Sequence, residues 1–399
     1  MSLPETPKGA RMRVAIVHYW LVSMRGGEKV LEALCDLYPQ ADIFTLVCEP
    51  SQLSEKLRRH KITTSFIDRL PFGRKKYQSL LPLMPFALEN FDLSDYDLVL
   101  SSESGPAKAV ITRPDALHIC YCHSPMRYIW DMYPQYMKGA GVISRFALGL
   151  FAPLLRQWDV TTAARVDAFI ANSRFVALRI WKYYRREATV IHPPVSLSDF
   201  DIRAESGDYY LCAGQLVGYK RVDLAVRAFT RMGKKLVVIG DGGELARLQR
   251  IAGPTIEFKG RASLEELQHH FSTCRALVFP GKEDFGIVPL EVMAAGRPVI
   301  AFGEGGALET VAEGVTGVFF KEQTEDAVVE AVERFEQNEV LFADREAIRA
   351  HAQRFSTESF KAKISDFIEA QLATAGVPHV RQVGGRPVTA TMESVKDTA

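Results

Sequence analysis

Short apolar runs alternate with polar loops and amphipathic stretches along most of this chain. RVAIV (13–17) leads into a polar loop, then Gly26-Gly27, then EKVLEALCDLY, where Val30, Leu31, Leu34 and Leu37 share one helical face. A strand, a glycine loop and a helix in that order open a βαβ unit. Further runs at DLVLSS (97–102), ALHICYC (116–122), DAFIANS (167–173) and TVIHPPV (189–195) continue the series, with helical patterns between several of them. The segment 192–208, with two prolines and an acidic, polar stretch, breaks the rhythm and reads as a linker. A second series follows, with strands at 209–214, 235–240, 256–260, 276–280 and 298–302. Its helices are predicted at 221–231, 243–251, 263–273 and 289–295, and the pattern is helical again over 324–336 and 344–372. The tail from Gly376 reads as disordered. The pattern therefore predicts an α/β protein with two Rossmann-like, doubly wound domains, residues 1–192 and 193–354. Ligands of such sheets bind beyond the carboxyl ends of the strands, here in the cleft between the domains.

Composition adds class and compartment. The 399 residues are 47% apolar and 24% charged, which suits a soluble protein with a core in each half. Neither a membrane-spanning run nor a secretory signal is legible, so cytoplasmic residence is expected. The six cysteines are scattered, and the one cluster, Cys120-Tyr-Cys122-His123, lacks further ligands at metal-binding spacing. Buried thiols are the expectation. Net charge is +1 but unevenly placed: residues 1–195 carry 25 Lys+Arg against 18 Asp+Glu, and the remainder 24 against 30. The first half is thus expected to meet something anionic.

The most informative stretch is FPGKEDFGIVPLEVMAAGRPVIAFGEGGALETV (279–311). A strand delivers the loop GKEDFGIV, and Pro289 and Gly296 suit the first helical and the C′ positions of a short helix. Free amides near 286–291 and the helix dipole would favour an anion, most naturally a diphosphate. Glu283 and Glu291 flank the loop, placed to hold sugar and ribose hydroxyls respectively. In CAGQLVGYKRVDLAVRAF (212–229), Lys220 stands just before a helix, where it would neutralise a leaving diphosphate. Gly26 and Gly27 permit close approach of the first-domain backbone to phosphate. In YCHSPMRYIWDMY (121–133), His123 should emerge from a buried strand into the cleft, and Arg127 would serve either the phosphates or the acceptor. Gly240, Gly260 and Gly305-Gly306 follow second-domain strands, and either wall the nucleobase or make tight turns.

Glu, seven residues, Glu on a strand–loop–helix resembles the paired-glutamate motif of the retaining family 4 glycosyltransferases, and the resemblance extends over roughly residues 13 to 372. It implies the GT-B fold, with a C-terminal helix at about 355–373 packing back on the first domain and a tail over 374–399. It also implies donor contacts from the amides of Phe285, Gly286, Ile287 and Val288, Glu291 on the ribose, and Glu283, Lys220 and His123 near the reacting centre. Asn172-Ser173 resembles the family's Asn-Ser motif beside the cleft. Where the family usually carries an arginine, five residues before Lys220, this chain has Gln215; Arg221 is the nearest candidate to compensate. YCHSPMRYIWDMY, together with 81–104 and 283–311, resembles a bacterial subgroup that includes O-antigen mannosyltransferases, which implies GDP-mannose as donor and surface-polysaccharide synthesis as setting. The resemblance implies retention of anomeric configuration. No metal or other cofactor is expected, since Lys220, the loop amides and the helix N-terminus would stabilise the leaving diphosphate and no Asp-x-Asp centre stands at a convincing place. A GT-B epimerase, an enzyme using a UDP-sugar and a non-catalytic relative are the rivals; an NAD-dependent dehydrogenase lacks its Gly-x-Gly-x-x-Gly fingerprint here.

The partners expected are a nucleotide sugar and a glycan or polyprenyl-diphosphate-linked acceptor. Residues 56–90 interleave eight basic side chains with Phe66, Phe72 and Tyr77 and run into Leu80, Leu81, Leu83, Met84 and Phe86. Basic and apolar together suit an anionic membrane surface, with the enzyme peripheral at the inner face of the cytoplasmic membrane. No nucleic-acid recognition motif accompanies these charges.

Overall fold

The computed structural model describes residues 12–139 and 141–374. The first sheet contains β1 (Val14–His18), β2 (Asp42–Thr45), β3 (Ile62–Thr64), β4 (Leu98–Glu103), β5 (Leu117–Cys122), β6 (Ala168–Ala171) and β7 (Ala188–Val190), all parallel, in the order 3-2-1-4-5-6-7. The helices of this half are α1 (Gly26–Leu37), α2 (Glu55–Arg58), α3 (Gly73–Lys76), α4 (Met84–Glu89), α5 (Tyr133–Gly139), α6 (Val142–Ala163) and α7 (Arg174–Tyr184). The second sheet contains β8 (Tyr210–Ala213), β9 (Leu236–Ile239), β10 (Ile256–Gly260), β11 (Leu277–Phe279), β12 (Val299–Phe302) and β13 (Gly317–Phe320), also parallel, in the order 10-9-8-11-12-13. Around it lie α8 (Val222–Met232), α9 (Leu245–Ile251), α10 (Leu264–Thr273), α11 (Ile287–Ala294), α12 (Ala307–Thr310), α13 (Glu325–Gln337) and α14 (Arg345–Gln353), and α15 (Thr357–Thr374) closes the described chain.

Why these strands lie inside is plain from their composition. β1 and β4 are buried at every position, as expected of parallel strands covered on both faces; β1 is near-continuously apolar, and β4 ends in the buried polar residues Ser101, Ser102 and Glu103. α8 has the opposite character: Leu224, Ala225, Ala228 and Phe229 turn inward and the polar face turns out. α15 crosses back to the first half. Its Phe360, Ile364 and Ile368 join Val30, Leu31 and Leu34 of α1 in one core, and Lys361 reaches Asp36 at 3.4 Å. Each such apolar side chain contributes about 1.5–3 kcal/mol when fully buried, so the helix is tied to the first half by packing.

Strand order reverses direction between β1 and β4 in one sheet and between β8 and β11 in the other. Loops leaving those four strands therefore form the crevice. Several boundaries differ from the sequence pattern. The helix expected at 289–295 begins at Ile287, so Pro289 is its third residue, and Gly286 takes the cap position with φ +90°. The stretch 344–372 is two helices, α14 and α15, separated where Val195 bridges to Ser356. Strands β2, β3 and β13 and the long helix α6 carry no clear pattern of their own. The tail from 375 onward lies outside the described residues. All six cysteines are free and buried.

Candidate functional site

Two helix N-termini, one from each half, meet at the centre of the crevice. A Cβ on Gly26, the first residue of α1, would run into Cδ1 of Ile287, the first residue of α11. A Cβ on Gly27 would strike the hydroxyl of Tyr19. The glycine pair is therefore explained by close approach, and it brings two positive helix ends to one place. Glu28, buried in the first turn of α1, accepts a hydrogen bond from the Arg25 amide at 2.9 Å and lies 3.7 Å from His18.

On the second-domain side, Lys220 lies in the loop after β8 and Glu283 in the loop after β11, and Nζ and Oε1 approach to 2.8 Å. Gly281 admits the Lys220 backbone, where a Cβ would stand 2.8 Å from its Cα. Burial works against the lysine's charge, but Glu283 more than restores it, and its pKa ends above that of an ordinary lysine. The Glu283 loop is held from behind: the Gly306 amide donates to the Glu283 carbonyl at 2.9 Å, and a side chain on Gly306 would collide with the Phe285 backbone. Burial, with Asp199 adding and Lys29 of α1 opposing, pushes the Glu291 carboxyl up to about 7.

Arg127 enters from the first domain. Its guanidinium lies 3.3 Å from the Asp284 carboxylate and 4.9 Å from the ring centre of Tyr219, next to Lys220 in sequence. Asp284 also takes Arg179 of α7, and its carbonyl accepts from Ser173 Oγ at 2.6 Å. A second contact across the crevice is built on Glu309. That carboxylate accepts from the Arg174 amide at 2.8 Å, at the N-terminus of α7, and lies 3.0 Å from His192 Nε2.

The remaining candidates divide. His123 continues the β4 ladder through its amide to the Glu103 carbonyl at 2.7 Å, and its Nε2 lies 3.0 Å from Ser102 Oγ. Burial, with His18 nearby, pushes its pKa down to about 3, so its ring is neutral at physiological pH. Val288 packs with Ile287 at the margin of the second core, and Phe285 is buried against His192. Gly240 and Gly260 adjoin through a 2.8 Å hydrogen bond, and a Cβ on Gly240 would collide with the Gly214 carbonyl, so a tight turn accounts for that glycine. Arg221 does not join Lys220. It takes a left-handed conformation at the start of α8, and its guanidinium pairs with Asp223 at 3.2 Å. Gln215 is exposed at the end of β8. Sequence reasoning missed Asp284, Arg179, Glu309 and His18; only Asp284 had a signal, its place beside Glu283.

Comparison with known proteins fixes the family. The profile of glycosyl transferases group 1 matches residues 199–355, and that of Glycosyltransferase Family 4 matches residues 24–199. The chain belongs to the family 4 glycosyltransferases. Among curated relatives of this family-4 chain, the alpha-1,3/1,6-mannosyltransferase of Saccharomyces cerevisiae is 24% identical over 374 residues, covering 76% of this chain and 72% of the relative. The GDP-mannose-dependent alpha-(1-6)-phosphatidylinositol monomannoside mannosyltransferase of Mycolicibacterium smegmatis is 29% identical over 216 residues, 44% of this chain and 56% of the relative. Apart from the yeast enzyme, the chain spans little more than half the length of the first curated relatives it matches. A sucrose-phosphate synthase from Thermosynechococcus elongatus superposes with a TM-score of 0.69 at 18% identity, over 91% of this chain and all of the other. HepE of Anabaena, in complex with UDP, gives 0.66 at 16% identity over 90% and 100%. The fold is GT-B.

Proposed function

We propose that this family 4 protein is a retaining hexosyltransferase that moves mannose from GDP-mannose onto a glycan or polyprenyl-diphosphate-linked acceptor in surface-polysaccharide synthesis. The observation that carries the reading is the 2.8 Å pair of Lys220 and Glu283, set beside Arg127 where the N-termini of α1 and α11 converge. The names of the yeast and mycobacterial relatives support the sugar.

Breaking the bond from anomeric carbon to phosphate puts negative charge on the diphosphate and positive charge on the sugar ring. Fixed donors around the diphosphate act chiefly on that transition state. Lys220 and the amides of Gly286, Ile287 and Val288 supply them from one domain, and Gly26, Gly27 and Arg127 from the other. With Gln215 uncharged and Arg221 engaged by Asp223, Arg127 becomes the second cation on the diphosphate. Glu291 accepts hydrogen bonds from the ribose, Glu283 and neutral His123 orient the sugar, and the loops at Gly240 and Gly260 flank the base. Same-face attack, with the leaving phosphate taking the acceptor's proton, gives retention.

Thermal shift against GDP, GDP-mannose, UDP and UDP-sugars tests the donor. Stabilisation selective for GDP compounds is expected; selectivity for UDP compounds overturns the mannosyl assignment. Lys220→Ala should abolish the GDP shift and lower mannosyl transfer about 100-fold or more, and Glu283→Gln should lower transfer while leaving the shift largely intact. Unchanged transfer in both variants would sink the assignment.

A further inference from the structure

Many of the exposed apolar side chains of the first domain gather around one helix, apart from a shorter pair, Leu178 and Trp181, on α7. Along α6, Val142 is 83% exposed, Phe146 73%, Leu150 57% and Leu154 59%. Their spacing of four places them on one face, which from Val142 to Leu154 extends over about 18 Å of the helix. A face that long is not explained by the fold, which buries the opposite side of α6 through Ala152 and Leu155 against Met126 and Ile129. Leu81 packs into the same cluster, so the segment 77–89 runs alongside α6. That segment is flanked by Phe72, 69% exposed, and ends near Phe86, 64% exposed.

Charge decides what such a surface fits. Between Tyr133 and Ala164 the sole carboxylate is Asp159, which is buried and paired with Lys108. From Arg69 to Leu88 there is no carboxylate at all, while Lys75, Lys76 and, next to α6, Lys138 are exposed. Glu89, at the far end of that segment, is paired with Arg165 at 2.6 Å. Apolar side chains over a margin that is otherwise basic suit an anionic bilayer, whose headgroups attract lysine at about 1 kcal/mol each near the surface. No helix among the described residues is long and apolar enough to cross a membrane.

We propose that α6 is an interfacial membrane-docking helix, lying in the plane of an anionic bilayer with Val142, Phe146, Leu150 and Leu154 inserted. The element it packs on is the segment 126–130, which carries Arg127. Docking through α6 therefore brings the acceptor side of the crevice next to the lipid surface. The inference rests on the exposed face and its basic margin, and stands apart from the choice of donor.

Flotation of the full chain with vesicles of phosphatidylcholine and phosphatidylglycerol, against vesicles of phosphatidylcholine alone, tests it. Binding to the anionic vesicles is expected, weakened by salt and reduced about tenfold or more by Phe146→Glu with Leu150→Glu. Both side chains are exposed, so the double variant should keep the parent's melting temperature. An equivalent pair on α7, Leu178→Glu with Trp181→Glu, should leave binding unchanged. No flotation of the parent overturns the proposal, as does flotation that survives the α6 double variant. A concentration-dependent dimer by light scattering that the α6 variant dissolves, without flotation, would assign the face to a second copy instead. The GDP shift measured on the same samples separates this outcome from failure of the donor assignment.

Discussion

Glu291→Gln should raise stability and lower nucleotide affinity at once. The parent carboxyl sits in the second turn of α11 with its pKa pushed up to about 7 by burial, against 4.5 for an ordinary glutamate. Below about pH 4.5 the group is neutral folded and unfolded, and contributes nothing. Between 4.5 and 7 the folded protein holds a proton that the unfolded chain releases, so stability falls as pH rises. Above 7 the full penalty applies. The difference corresponds to about 3 kcal/mol at most, and Glu291 is only half-buried, so about 1–2 kcal/mol is a better expectation after screening. Glutamine removes that penalty. Melting curves of parent and variant from pH 5 to 8.5 should nearly coincide at the acid end. They should separate by a few degrees at the alkaline end, with the variant higher. In the same buffers the GDP shift of the variant should shrink, since a charged hydrogen-bond acceptor contributes about 1.5–3 kcal/mol. A variant less stable than the parent at pH 8.5 would refute the electrostatic argument. An unchanged GDP affinity would refute the ribose role.

Gly26→Val should push α1 away from Ile287 and cut GDP affinity about tenfold or more, read by titration calorimetry; pairing it with Ile287→Ala should return much of the loss, and no rescue would disprove the steric account. Lys108→Met should destabilise the fold by about 3–5 kcal/mol, because Glu103 and Asp159 would be left buried without their cation. Glu103 already has its pKa pushed up to about 7 by burial. The loss in denaturant unfolding should therefore be smaller at pH 5.5 than at pH 8, where the carboxylates must carry charge.

How much of this was legible in sequence depended on whether local pattern or tertiary packing decided each element. Strands β1, β8 and β9 announce themselves because both faces are buried, which favours a continuous apolar run, and β4 and β5 do so through shorter apolar stretches broken by buried Ser101, Ser102, Glu103 and His118. DIFT and ITT are too short and too mixed to do so, and β3 is half-buried throughout. α6 is apolar on its exposed face as well as its buried one and holds Pro153, which erases the periodicity that marks a helix. The Glu283, Lys220 and Glu291 positions follow from loop and helix signals alone. Arg221 was a reasonable neighbour by number, yet its left-handed backbone turns it to Asp223. Asp284, Arg179 and Glu309 acquire their roles only when α7 and the second domain are brought together, 105 residues apart for Arg179 and Asp284.

The uneven charge of the two halves takes on a different meaning once the crevice is in view. Taken alone, the basic first half predicts an anionic partner. Part of that charge is met within the chain. Arg127 and Arg179 are held by Asp284, and the positive end of α7 is held by Glu309, which also lies 3.0 Å from His192. In both contacts the carboxylate belongs to the second domain. These two charged contacts therefore flank the crevice beside the apolar packing of α15, and the first shares Arg127 with the proposed diphosphate site. A diphosphate entering beside Lys220 would compete with Asp284 for that guanidinium. Donor binding and the grip between the domains would then be coupled through one side chain, and Arg127→Ala would weaken both, whereas Arg179→Ala would weaken the grip alone.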